Sequence, residues 1–239
     1  KYLLFLENAF PYMDNYNYHK GMKGIIQELK VLLKTKSIGT DSDRALLLDF
    51  QAALETQPEK AIKLEKNALA QIENITADNA RLVSNLHANL GGLYRMNGYP
   101  DLAREHMEKS ISLLDQFNLL HINDSIPQIA NYAMFLTEQQ EPERGISELQ
   151  KLSGIIKEYH SDECLDYAKV QETLATIYLM TANLSHAKTH FKKAFKIYEK
   201  IWTDEPEMIE AKYQEIQELY PQVGFFLGQQ LSDFLTKQT

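Results

Sequence analysis

Two stretches decide how this chain reads: Asn89-Leu90-Gly91-Gly92-Leu93-Tyr94 with Ala103 and Met107 after it, and Leu174-Ala175-Thr176-Ile177-Tyr178 with Ala187, Phe191 and Ala194 after it. In each, a small residue follows a leucine, precedes a tyrosine by three places, and is answered twelve places later by a second small residue. Midway between them the same slots hold Tyr132, Ala133 and Leu136, then Gly145 and Leu149, so the pattern returns every 42 residues. Two antiparallel helices approach closely only where a side chain is tiny, and bulky neighbours fill the gaps beside that point. Five slots kept in step through three consecutive units therefore predict a repeated helix pair.

The prolines mark where the second helix of each pair begins. Pro58, Pro100 and Pro142 are 42 residues apart, and each is followed by an acid: Glu59, Asp101 and Glu143. Proline suits the first helical turn, and an acid there meets the positive end of the helix dipole. Three places after each proline comes a small residue, Ala61, Ala103 or Gly145, and one more step of 42 lands on Ala187. Capping residues precede the helices at Asp41-Ser42, Thr76-Ala77-Asp78, Asp124-Ser125, Ser161-Asp162 and Thr203-Asp204-Glu205-Pro206. The reading gives twelve helices, near 2–12, 18–34, 42–55, 58–73, 78–96, 100–116, 125–139, 142–158, 163–181, 184–200, 205–219 and 222–236. No segment alternates with the strand period, so no sheet is expected.

Leu90-Gly91-x-x-Tyr94 with Ala103-x-x-x-Met107, and Leu174-Ala175-x-x-Tyr178 with Ala187-x-x-x-Phe191, resemble the tetratricopeptide repeat motif. The 42-residue period and the linker Asn123-Asp124-Ser125-Ile126-Pro127 resemble the kinesin light chain branch of that family. The family's early tryptophan is missing, and Trp202 falls in a linker instead. The resemblance implies an all-α fold: one right-handed superhelical solenoid of antiparallel helix pairs over residues 1–239. It would hold about five to six pairs, best defined over 84–201. Outward the register weakens. Leu48, Asp49 and Ala52 fit by spacing alone, as do Leu6, Glu7 and Phe10, with His19 standing where a small residue belongs. Ile216 and Tyr220 fall in slot before Pro221 interrupts, and a last helix carrying Phe226, Leu227, Phe234 and Leu235 would cap the stack.

Composition narrows the function. At 44% hydrophobic and 24% charged, the chain is neither disordered nor membrane-spanning, since no apolar run of about 18 residues occurs. A net charge of −8 argues against nucleic acid as a partner, and the lysines at 188, 192, 193, 196 and 200 read as a solvated helix face. One cysteine, Cys164, excludes an internal disulfide and fits a cytoplasmic setting; beside Glu163 and Asp166 it is a poor nucleophile. The triplets at Asn74, Asn123 and Asn183 read as chance, because no secretion signal opens the chain, and a start at Lys1 suggests a fragment. No phosphate loop, zinc-protease motif or nucleophile elbow occurs. His186 and His190 stand four apart with no further ligand, and Gly224 and Gly228 read as close packing rather than membrane pairing. Neither an enzyme, a metal nor a cofactor is expected.

What remains is a surface. In stacked helix pairs the first helices line the concave side, so residues turned away from their core slots face a groove. These are Asn85, Asn89, Gly92 and Met96; then Pro127, Asn131, Met134 and Glu138; then Lys169, Thr173, Thr176 and Met180. Asn89, Asn131 and Thr173 recur at 42 residues and are expected to form a polar ladder, an amide offering both donor and acceptor to a bound backbone. In the families resembled, an asparagine in that slot contacts bound peptide. Towards the N-terminus Leu47, Phe50 and Leu54, and before them Phe5, Asn8 and Tyr12, would make the groove apolar. The expected partner is a protein or extended peptide bound by a scaffold or adaptor. The alternative is the peptide-sensing half of a bacterial transcription regulator, with its DNA-binding domain upstream of Lys1.

Overall fold

Ten helices and no strand form among the residues that the computed structural model describes, which are 19–35, 39–122 and 125–221. They are α1 His19–Thr35, α2 Asp41–Ala53, α3 Pro58–Leu69, α4 Ala80–Met96, α5 Pro100–Gln116, α6 Ser125–Glu138, α7 Pro142–Tyr159, α8 Leu165–Met180, α9 Leu184–Ile201 and α10 Pro206–Leu219. The helices expected at 2–12 and 222–236, with Phe5, Asn8, Tyr12, Asn123, Asp124, Gly224, Gly228 and the capping cluster from Phe226 to Leu235, lie outside the described residues. The chain divides into two compact units, Lys1–Leu119 and Leu120–Thr239.

The turn inside each well-formed pair explains why the pairs repeat. Gly98, Gln140 and Ala182, again 42 apart, have positive φ of 76°, 65° and 58°. In each turn an amide reaches back five residues to the first helix: Tyr99 N to Tyr94 O at 3.0 Å, Glu141 N to Leu136 O at 2.8 Å, and Asn183 N to Tyr178 O at 2.7 Å. This Schellman closure satisfies the last carbonyls and reverses the chain so that the second helix returns along the first. Glycine takes the left-handed conformation freely, whereas Gln140 and Ala182 adopt it against a steric cost.

In the first unit α4 and α5 run antiparallel. Ala103 and Gly91 are buried at their crossing, and a Cβ on Gly91 would stand 2.6 Å from Met107 Cγ. Ser84 and Ser110 hydrogen-bond across the same pair at 3.1 Å, both buried. α2 and α3 form the preceding pair, α3 packs on α4, and α2 touches α4. Thr40 and Asp43 make a capping box that starts α2, one residue earlier than the sequence suggested. Phe50 is not a groove residue. It is buried with Met22, Ile25, Ile26 and Leu29 because α1 packs over it, and Leu47 and Leu54 pack against the same cluster. His19, which spacing put in a small-residue slot, is exposed at the start of α1.

In the second unit α6 pairs with α7 and α8 with α9, while α6 also touches α8. The α6–α7 crossing is close at the backbone itself, since a Cβ on Gly145 would lie 2.6 Å from the Ala133 carbonyl oxygen. In the α8–α9 pair Ala175, Ala187 and Phe191 are all fully buried. Helix α8 is capped by Cys164 rather than by Ser161 or Asp162: its sulfur accepts from Tyr167 N at 3.5 Å and donates to Ser161 O at 3.1 Å. Beyond α9, Tyr213 of α10 packs its ring 4.1 Å from that of Phe195, and Trp202 stacks on Tyr198 at 4.9 Å.

Candidate functional site

The first helix of each pair uses one face for packing and leaves the opposite one open, because apolar residues recur at helical spacing on a single side. In the first unit α4 buries Val83, Leu86, Leu90 and Tyr94. Away from them stand Asn89 and Met96, which is 75% exposed, with Asn85 and Gly92 half-buried between. A Cβ on Gly92 would meet nothing within 4 Å, so there is open space one turn beyond Asn89. In the second unit the neighbouring helices α6 and α8 present Pro127, Asn131 and Glu138, then Lys169 and Met180, all exposed. Met134, Thr173 and Thr176 are half-buried.

These residues do not act alike. The Thr173 hydroxyl donates to Lys169 O of its own helix at 3.0 Å, the back-bond that a threonine in a helix commonly makes. Lys169 Nζ lies 3.9 Å from the Asp166 carboxylate. Asn89 donates its amide to Asp49 Oδ1 of α2 at 2.8 Å and to Glu65 Oε1 of α3 at 3.3 Å.

That three-residue cluster is the feature sequence reading missed. Counting in steps of 42, Asp49 occupies the slot of Gly91, Ala133 and Ala175, and Glu65 the slot of Met107, Leu149 and Phe191. Where the later pairs put a small residue under a bulky apolar one, the first pair puts two carboxyls. Burial raises the pKa of both. For Glu65 the neighbouring Asp49 charge adds to the rise; for Asp49 the hydrogen bonds from its neighbours partly oppose it.

Other polar groups in the interior have structural partners. His87 and His106 bring Nδ1 atoms within 2.9 Å of each other between α4 and α5, beside a cleft of about 410 Å³. Burial first, then the His106 and Lys109 charges, lowers His87 to about 4, and burial lowers His106 as well, which favours the neutral rings that one such hydrogen bond needs. Two repeats on, Gln171 Oε1 and His190 Nδ1 stand 2.8 Å apart in the same slots. His186 binds Asn183 Oδ1 at 2.8 Å, and both His186 and His190 stack on Tyr178, so their ring nitrogens do not converge. Among the described residues no three His, Cys, Asp or Glu side chains gather as a metal ion would need. Glu172 accepts from Tyr198 at 2.6 Å and pairs with Lys212 at 2.9 Å, tying α8 to α9 and α10.

Residues 125–200 match the tetratricopeptide repeat family. Among solved structures the chain is similar to BtubC (BKLC) from P. vanneervenii, with TM-score 0.67 and 17% identity over 92% of this chain and 87% of that one. It is similar to the kinesin light chain nearly identical TPR-like repeats of Podosopora anserina, with TM-score 0.60 and 15% identity over 82% and 96%. MamA follows at TM-score 0.53 and 15% identity, over 80% and 96%. No curated protein matches the sequence. The chain has the tetratricopeptide repeat fold in its kinesin light chain-like form, a fold that serves as a scaffold for protein–protein interaction. Among the described residues no helix is long and apolar enough to cross a membrane.

Proposed function

We propose that this chain is a binding scaffold, without catalytic role, that holds an extended segment of another protein against the open faces of its first helices. The observation that carries the reading is made in each unit by itself: Met96 is 75% exposed on the open face of α4 in the first, and in the second Met180 is 45% exposed and Asn131 is exposed. Large apolar side chains left in solvent beside amides suit a partner whose backbone is gripped by polar groups and whose side chains vary. Asn85, Asn89 and Met96 would serve in the first unit, and Asn131, Met134, Glu138, Lys169, Thr176 and Met180 in the second. Thr173 would contribute its methyl group, since its hydroxyl is bonded within α8. A cytoplasmic location fits the single cysteine, Cys164.

The test is selection of a displayed random dodecapeptide library on the full chain, followed by affinity measurement of the enriched peptides. Asn131→Ala combined with Met180→Ala should weaken binding roughly tenfold, from one lost backbone contact and one lost apolar contact. Peptides that keep full affinity for this variant but lose it to Lys192→Glu with Lys196→Glu, on the outer face of α9, would move the site to the second helices.

A further inference from the structure

We propose that Asp49, Glu65 and Asn89 form a receptor for one basic side chain, arginine or lysine, of the bound segment. The proposal rests on the scaffold reading above and adds a chemical preference to it. Glu65 is 2% exposed, and its Oε2 is the one buried side-chain polar atom among the described residues that lacks a hydrogen-bond partner. Buried polar atoms without partners are rare, and each asks for an explanation. Packing does not supply one: a Cβ on Gly91 would stand 2.6 Å from Met107 Cγ, and Ala133, Leu149, Ala175 and Phe191 fill the same slots as buried apolar residues.

The chain itself offers these carboxyls little compensation. The groups acting on them are each other and the Asn89 amide. Lys66, the residue next to Glu65, instead places its ammonium over the Tyr94 ring, 5.5 Å from the centroid. Two carboxyls gathered on one amide nitrogen, at 2.8 and 3.3 Å, cannot both ionise without a cation or a shared proton. The cluster is also reachable. Asn89 is exposed, Asp49 keeps part of its surface, and Gly92 leaves room beside them on the face of α4 assigned to the partner. An arginine fork or a lysine ammonium entering there replaces the proton shared with Asp49 and donates to Glu65 Oε2, beside the Asn89 amide already on Oε1.

The experiment selects the same dodecapeptide library on the full chain and on its Glu65→Met variant, which carries at this slot the side chain of the next repeat. Circular dichroism confirms that the variant folds, and Glu65→Gln serves as a second, isosteric variant. Peptides from the unaltered chain should share a basic residue at one fixed place, and the variants should select the same flanking residues without it. Replacing that arginine by citrulline, which keeps the shape and removes the charge, should weaken binding to the unaltered chain at least tenfold and to Glu65→Met less than about twofold. Enriched peptides with no basic preference, or an equal citrulline effect on both proteins, would overturn this inference alone. Failure of the chain to select any sequence would overturn the scaffold reading and this inference with it.

Discussion

One methyl group placed at two positions of α7 separates crossing geometry from helix propensity. At Gly145 a Cβ would stand 2.6 Å from the Ala133 carbonyl oxygen and 3.2 Å from its C and Cα, all backbone atoms that cannot rotate away. Restoring ordinary contact at 3.4 Å or more requires α6 and α7 to part by most of an ångström along their tightest line. Overpacking of this kind costs about 1–3 kcal/mol, against which alanine recovers about 0.5–1 kcal/mol of helix propensity. At Gly154, nine residues later in the same helix, a Cβ meets nothing within 4 Å, so only the propensity gain remains. Gly145→Ala should therefore lower stability by about 1–2 kcal/mol while Gly154→Ala raises it by up to about 1 kcal/mol. For a chain of this size each kcal/mol moves the midpoint about 2–4 °C, so thermal unfolding followed at 222 nm resolves the opposite shifts. Shifts of the same sign and similar size would show that the α6–α7 crossing is not where the repeat register puts it.

Three further outcomes follow from particular contacts. Asp49 and Glu65 hold their protons more tightly folded than unfolded, so their contribution is full below the ordinary carboxylate range near pH 4 and is lost as pH rises through the raised values. The unfolding midpoint should thus fall between pH 5 and pH 9, and Glu65→Met should remove most of that slope; an unchanged slope in the variant refutes the pairing. Ala182→Gly should raise urea-unfolding stability by about 0.5–1 kcal/mol, because φ of 58° strains alanine and not glycine, and a loss would mean that the turn is not left-handed. Lys212→Met should cost about 1 kcal/mol and flatten the dependence of stability on salt, since Glu172 would keep only Tyr198 as partner; no change in either would reduce the pair to a surface contact.

The backbone was legible because its determinants lie in the sequence at fixed intervals. Prolines start α3, α5 and α7, and small residues mark every crossing from Gly91 to Ala187. The left-handed turns were less legible, since Gly98 advertises one but Gln140 and Ala182 carry side chains that ordinarily avoid it, and only the repeat forces them. The polar ladder was read by spacing, and spacing cannot tell which partner a side chain prefers. Thr173 finds an acceptor four residues back in its own helix, whereas Asn89 finds carboxylates 40 and 24 residues away. Phe50 looked open because nothing in its own helix shows that α1 lies over it.

The misreadings gather in the pair α2–α3. There the left-handed turn is absent, with Leu54 capping α2 in a right-handed conformation, and the small and bulky slots hold Asp49 and Glu65. Leu48, Asp49 and Ala52 fit the register by spacing alone, yet a merely loosened repeat would still fill its apolar slots with residues that pack. A repeat fold needs each pair only to bury its crossing and reverse its chain, so any apolar residue of suitable size serves those slots. A buried carboxyl pair serves neither purpose and lowers stability while it remains without a counter-charge. A position where the repeat gives up apolar packing for two buried carboxyls is thus a position whose chemistry the fold alone does not require.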